Sequence, residues 1–163
     1  MVIESAAPEQ LAEISALAEI IWRAHYPGII SHEQIDYMLA RRYDVEVMRR
    51  ELESGIAYDR LLVDGVLGGF SSYGPASRAG ELKLHKLYVH PEFQQRGFGA
   101  ALLKRIEEFA RAHNFSTLIL AVNKQNTRAF LAYRKLGFTV RESIIADIGG
   151  GFVMDDYVMA KFL

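Results

Sequence analysis

At 163 residues, 50% apolar and 24% charged, the chain has the size and balance of one water-soluble domain with its own core. Its formal net charge of −1 argues against a general nucleic-acid binder, which needs a basic excess to displace counterions. There is no cysteine, which excludes disulfides, thiolate metal sites and a cysteine nucleophile. The start Met1-Val2-Ile3-Glu4 lacks the basic residues and apolar run of a signal peptide, and no apolar run reaches membrane-spanning length. A cytoplasmic protein with no membrane or nucleic-acid partner is therefore expected.

Val2-Ile3-Glu4 reads as a short first strand. Pro8 marks a helix start, and Leu11, Ile14, Leu17, Ile21 and Trp22 recur at helical spacing until Tyr26-Pro27-Gly28. Ser31 with Gln34 is a capping-box pattern for a second helix through Ile35, Met38 and Leu39. A third helix is predicted from about Asp44 to Ser54, stopped by Gly55. Ala57–Val63 and Val66–Tyr73 read as strands joined by a tight Asp64-Gly65 turn, and Glu81–Val89 as the next strand. A helix from Gly97 places Phe98, Leu102, Ile106 and Phe109 on one face and Lys104, Arg105, Glu108 and Arg111 on the other. Thr117–Val122 is a strand, Asn126–Leu136 a helix, and Gly137-Phe138 opens a strand to about Ile148. Gly149-Gly150-Gly151 turns into the last strand, Phe152–Phe162. The order predicts an α/β (α+β) layered fold with a mixed sheet, in a single domain over 1–163.

The segment after Val89 carries the most information. A proline stop is followed by Gln94-Gln95-Arg96-Gly97-Phe98-Gly99-Ala100 and an amphipathic helix. A glycine loop that opens a helix is a ready anion site, because its N–H groups lack intrahelical partners and face the positive end of the dipole. Three readings compete. A P-loop needs Lys-Ser/Thr after the last glycine, where Ala100-Ala101 stand. A dinucleotide fingerprint needs a third small residue where Leu102 stands, and an acidic residue ending the next strand. The plain alternative is a helix start with glycines for tight packing.

The loop matches Gln/Arg-x-x-Gly-x-Gly/Ala and follows Leu87-Tyr88-Val89-x-Pro91. Downstream stands Asn123-x-x-Asn126-x-x-Ala129-x-x-x-Tyr133-x-x-x-Gly137-Phe138. Together, over about Glu81 to Phe138, these motifs resemble the GNAT superfamily of N-acetyltransferases. Segments around Trp22 to Leu39 and Asp147 to Tyr157 resemble a bacterial subgroup that includes polyamine (spermidine/spermine) acetyltransferases. The resemblance implies a seven-stranded, mostly antiparallel sheet with helices on both faces and a splayed parallel pair at its centre. It implies acetyl-CoA as cosubstrate, with its pyrophosphate on the N–H groups from Gln95 to Ala100, and Gly97 and Gly99 allowing close approach. Gln94 and Phe98 belong to the same loop, and Arg96 either reaches a phosphate or is solvated. The backbone of Leu87, Tyr88 and Val89 is implied to pair with the pantetheine arm as an added strand would. The Leu87 and Val89 side chains read as core.

Asn126 and Tyr133 lie two helical turns apart on one face. The resemblance makes Tyr133 the acid that protonates the departing thiolate, and Asn126 a cofactor-binding residue. The alternatives are a core tyrosine and a helix cap. The general base is open. Family members often carry Glu at the position of Lys83, and lysine is a poor base unless desolvated. Strand alternation puts Glu81, Lys83, His85 and Leu87 on one face. His85 titrates near neutrality and is the first candidate; Glu81 is the second. A strand histidine bonded to its neighbours is the plain alternative. His85 and His90 fall on opposite faces and His25, His32 and His113 are isolated, so no metal site is expected.

Trp22, Tyr26, Tyr37, Asp155 and Asp156 are candidates to line the acceptor pocket, although adjacent strand residues point to opposite faces, so only one of the two aspartates can do so. The expected activity is direct acetyl transfer from acetyl-CoA to a primary amine, such as a polyamine or other small amine. The alternatives are another acyl-CoA donor, a protein or peptide N-terminal or lysine acetyltransferase, and a non-catalytic CoA-binding regulatory module. A homodimer through the C-terminal strands is an arrangement the sequence allows.

Overall fold

The computed structural model describes residues 1–163. Seven strands form one sheet in the order β1-β2-β3-β4-β5-β7-β6, where β1 is Val2–Ser5, β2 Ala57–Val63, β3 Val66–Pro75, β4 Glu81–Val89, β5 Thr117–Asn123, β6 Thr139–Gly149 and β7 Phe152–Phe162. The helices are α1 (Leu11–His25), α2 (His32–Arg42), α3 (Val45–Glu53), α4 (Phe98–Ala112) and α5 (Thr127–Lys135). The pairs β1–β2, β2–β3, β5–β7 and β6–β7 are antiparallel and β4–β5 is parallel. This is the mixed sheet that the element order predicts, with the parallel pair that the family resemblance implies. The β4–β5 ladder joins Glu81–Leu84 to Thr117–Leu120 only, although both strands run further. No helix is long and apolar enough to cross a membrane.

Backbone contacts divide the chain into two compact units, and β4 changes unit between His85 and Lys86. The first unit comprises Met1–Gly74 and Lys86–Ile106. Its α1 buries Leu11, Ile14, Leu17, Ala18, Ile21 and Trp22, the stripe expected from their 3- and 4-residue spacing. A short 3-10 turn, Pro8–Gln10, precedes that helix instead of Pro8 opening it. Ser31 caps α2 by accepting from the Gln34 N–H at 3.1 Å, and Asp44 caps α3 by accepting from the Glu46 N–H at 2.9 Å. Asp64 and Gly65 both have positive φ, 51° and 80°, the type I′ turn whose twist suits a two-residue hairpin. Leu61, Val63 and Leu102 form a buried cluster, against which Ile3, Leu87, Val89, Phe93 and Phe98 pack. One expectation changes here. Arg105 is not on a purely solvated face of α4: its guanidinium donates to the Asp59 carboxylate at 2.9 Å, and Asp59 is 1% exposed. A carboxylate buried that deeply on β2 requires a cation, and α4 supplies it.

The second unit comprises Pro75–His85 and Glu107–Leu163. Leu82, Leu84, Leu118, Leu120, Val122, Phe138 and Met159 are buried in it. Lys161 on β7 donates to Glu107 on α4 at 2.6 Å. The edge strand β6 has register shifts between Val140 and Glu142 and between Asp147 and Gly149. Such bulges, together with Arg141, Glu142 and Asp147, make the edge a poor template for further pairing.

Candidate functional site

In the first unit, β4 ends at Val89 and the chain makes a 3-10 turn, Pro91–Phe93, with Pro91 as its first residue. The His90 imidazole accepts from the Glu92 N–H at 3.0 Å and starts this turn. Gln94 then donates from its side-chain amide to the Val89 carbonyl at 3.1 Å, tying the loop back to the strand. Gln95 has φ +62° and Gly97 φ +80°, so the loop turns through the left-handed region twice before α4 begins at Phe98. A side chain other than glycine at position 97 would be strained, and no atom lies within 4 Å of where its Cβ would be. The first bond closing the helix runs from the Ala101 N–H to the Gly97 carbonyl at 3.0 Å. The N–H groups of Phe98, Gly99 and Ala100 precede it and so have no intrahelical acceptor. An open, left-handed glycine with free helix N–H groups beside it fits a phosphate oxygen, as a coenzyme A pyrophosphate would require. Arg96 is exposed, and its guanidinium carbon lies 5.7 Å from the Phe93 ring centre and 5.1 Å from that of Phe98. Those two rings hold Arg96 beside the loop by cation–π attraction.

On the strand itself, Leu87 and Val89 pack into the cluster around Leu102, while Lys86 and Tyr88 point the other way. The Tyr88 hydroxyl is hydrogen-bonded to that of Tyr26 at 3.0 Å. Burial holds the Tyr26 hydroxyl well above its ordinary pKa, so it stays neutral. Of the side chains expected to line an acceptor pocket, Trp22 and Tyr26 are only 1% and 6% exposed, stacked on one another at 4.1 Å. Tyr37 is half-buried and accepts from Arg41 at 3.1 Å. A polar cleft of about 270 Å³, lined in part by Glu19, Arg23, Asp36 and Tyr43, holds none of the motif residues.

In the second unit, Asn126 is 5% exposed and caps α5, its side-chain oxygen accepting from the Ala129 N–H at 3.5 Å. Tyr133 is half-buried two turns along the same helix. Its ring meets that of the buried Phe138 edge-on at 5.6 Å, and its carbonyl accepts from the Phe138 N–H at 3.0 Å. His85 and Lys83 are half-buried on β4. Glu81 is 7% exposed, and Arg141 donates to its Oε2 at 2.6 Å; its Oε1 is buried without a hydrogen-bond partner. Asp155 pairs with Lys124 at 2.7 Å, whereas its neighbour Asp156 is 8% exposed, as the opposite faces of a strand dictate.

The sheet, with its short parallel pair, and the glycine loop opening a helix define an acetyltransferase fold. Over residues 14–138 the chain matches the acetyltransferase (GNAT) family, and it belongs to that family of N-acetyltransferases. It is 27% identical over 152 residues to the spermidine N(1)-acetyltransferase of Thermoplasma acidophilum, covering 90% of this chain and 91% of that protein. The crystal structure of the PaiA N-acetyltransferase from the same organism, in complex with coenzyme A, superposes with a TM-score of 0.83 at 27% identity, with both chains covered completely. The ribosomal-protein-S18-alanine N-acetyltransferase of Escherichia coli shares the fold, with a TM-score of 0.74 at 19% identity over 99% of this chain and 92% of that one.

Proposed function

We propose that this protein transfers the acetyl group of acetyl-CoA directly to a primary amine, and that the acceptor is a polyamine or another small amine. The observation that carries the donor is the Gln94–Ala100 loop, whose two left-handed residues and free helix N–H groups suit a pyrophosphate. The coenzyme A bound by the PaiA structure supports the same donor. Backbone groups of Leu87, Tyr88 and Val89 take the amides of the pantetheine arm as a sheet takes an added strand.

The chemistry needs one base and one acid. An alkylammonium of pKa near 10.4 must lose a proton before it attacks, which at pH 7 costs about 4.6 kcal/mol. His85 takes that proton, directly or through water. The amine nitrogen then bonds to the thioester carbonyl carbon, the carbon–sulfur bond breaks, and the sulfur leaves as thiolate. Tyr133 gives its proton to that sulfur, and the second amine proton, released as the amide forms, returns to Tyr133 through water. With unperturbed values near 8.5 for the thiol and 10 for the tyrosine, full transfer is about 2 kcal/mol uphill, a gap that burial of the thiol closes. Glu81 is the less suited base, because Arg141 already occupies one of its oxygens.

The polyamine acceptor is supported by likeness to the spermidine acetyltransferase over nine-tenths of the chain. Asp155 does not add to that support, since Lys124 neutralises it. The deciding experiment measures free-thiol release from acetyl-CoA with spermidine, spermine, a panel of monoamines and amino acids, and peptides bearing N-terminal alanine or lysine. Thiol release with a small amine, and its acetylated product by mass, is the expected result. Acetyl-CoA binding with no turnover on any amine would overturn it in favour of a regulatory CoA-binding module. Turnover confined to peptides would make the acceptor a protein.

A further inference from the structure

Lys86 is a buried cation that the reaction proposed above does not use. Its side chain is 1% exposed, and its ammonium has three donors and three acceptors: the Tyr58 hydroxyl at 2.5 Å, the Arg42 carbonyl at 2.8 Å and Glu51 Oε1 at 3.3 Å. These partners come from β2, the last residue of α2 and the last turn of α3. The nitrogen also lies 4.6 Å from the ring centre of Tyr43 and 5.0 Å from that of Tyr58.

From Lys86 a closed circuit of contacts returns to β4. Tyr43 faces Lys86 with its ring, and its hydroxyl accepts from the Trp22 indole N–H at 3.1 Å. Trp22 stacks on Tyr26 at 4.1 Å, and the Tyr26 hydroxyl bonds to that of Tyr88 at 3.0 Å. Tyr88 stands two residues beyond Lys86 on the same face of the strand. Every member belongs to the first unit.

We propose that Lys86 is a positioning residue for the acceptor amine: its ammonium holds the corner between α2 and α3 against β4 and so sets Trp22, Tyr26 and Tyr88. The acceptor part rests on the amine acetyltransferase reading above. Tyr26 closes α1, and its carbonyl accepts from the N–H groups of Ile29 and Ile30, so a shift of Tyr26 moves the loop before α2. When Lys86 loses its proton, the attraction to Glu51 and to the two tyrosine rings goes with it. The groups facing it are Arg42 and Tyr43 from the end of α2, Glu51 from α3 and Tyr58 from β2. Burial lowers Lys86 to about 8, Arg42 acts in the same direction, and Glu51 opposes both. Burial keeps Tyr43 and Tyr58 protonated across that range. The circuit therefore changes state in mildly alkaline solution.

Trp22 is the only tryptophan in the chain, so its emission reports the circuit without any catalysis. Titrated from about pH 6.5 to 9.5, wild-type emission is expected to inflect near pH 8, Lys86→Met to show no inflection, and Glu51→Gln to inflect at lower pH. A flat wild-type titration, or an inflection unmoved by Glu51→Gln, overturns the circuit; Glu51→Gln carries this test should Lys86→Met not fold. In steady state, Lys86→Met is expected to raise the amine KM about tenfold and leave the acetyl-CoA Kd within about twofold. A wild-type amine KM overturns the positioning role. Absence of wild-type turnover on every amine overturns the proposed function, while the emission titration still decides the circuit.

Discussion

The hydroxyls of Tyr26 and Tyr88 are 3.0 Å apart and join the end of α1 to β4 across 62 residues of sequence. Tyr26 is 6% exposed, so its hydroxyl depends on this partner. Tyr88→Phe removes the partner and is expected to destabilise the protein by about 1–3 kcal/mol, the penalty for a buried hydroxyl left unmatched. Adding Tyr26→Phe removes the orphan and should recover much of the loss. Urea denaturation of both single variants and the double variant checks this; additive losses would show that the bond carries no coupling.

Tyr133→Phe keeps the ring that packs edge-on against Phe138 and the backbone bond beneath it. Acetyl-CoA affinity is therefore expected to stay near wild type, while kcat falls about 100-fold, the lower end of what a general acid contributes. Calorimetry of acetyl-CoA binding beside steady-state kinetics separates the two. Wild-type kcat would falsify the acid role.

The base assignment is decided by comparing two variants near pH 7. His85→Ala is expected to depress the rate on a protonated amine more than Glu81→Ala does. Glu81→Ala strips Arg141 of its carboxylate, so its main effect should appear as a lower melting temperature. The reverse order in the rates transfers the base to Glu81.

Lys86 ties stability to pH. Its pKa falls from 10.5 in the unfolded chain to about 8 in the folded one, chiefly through burial. Between these values the unfolded state holds the extra proton, so stability rises with pH across that window; below about pH 8 both states are protonated and the buried charge is a constant penalty. The interval corresponds to about 3 kcal/mol. Above pH 10 the buried tyrosines act in the opposite direction, because the unfolded chain ionises them first. Relative to Lys86→Met, the wild type should therefore gain about 2–3 kcal/mol from pH 8 to 10 in guanidinium melts. Parallel pH dependences for the two proteins would refute the linkage.

Much of the fold was legible before the structure. The expected order of strands and helices is the observed one, and Phe152–Phe162 is a strand over the span read from sequence. Ala57–Val63 and Glu81–Val89 are strands over the spans read from sequence as well. Other ends moved by one to three residues: α4 starts at Phe98 rather than Gly97, and β3 runs on through Gly74 to Pro75. Helical and strand periodicity, caps and turn residues are properties of neighbours in sequence, which is why they can be read there. The glycine loop before α4 was legible for the same reason, since its glycines, the strand before it and the helix after it are contiguous.

The charge partners were not legible. Asp59 and Arg105 are 46 residues apart, and Lys86 lies 44 and 35 residues from Arg42 and Glu51. As a single residue in an alternating strand, Lys86 looks like any solvated lysine. Trp22 and Tyr26 likewise drew attention as pocket residues, and only the structure shows them buried in the aromatic circuit. By itself the sequence determined the local elements, the family and the glycine loop that opens α4, because each rests on residues a few positions apart. Which side chains are buried, which charges meet and how α1 is held to β4 were decided by tertiary structure alone, because burial and ion pairing depend on what the folded chain brings together in space.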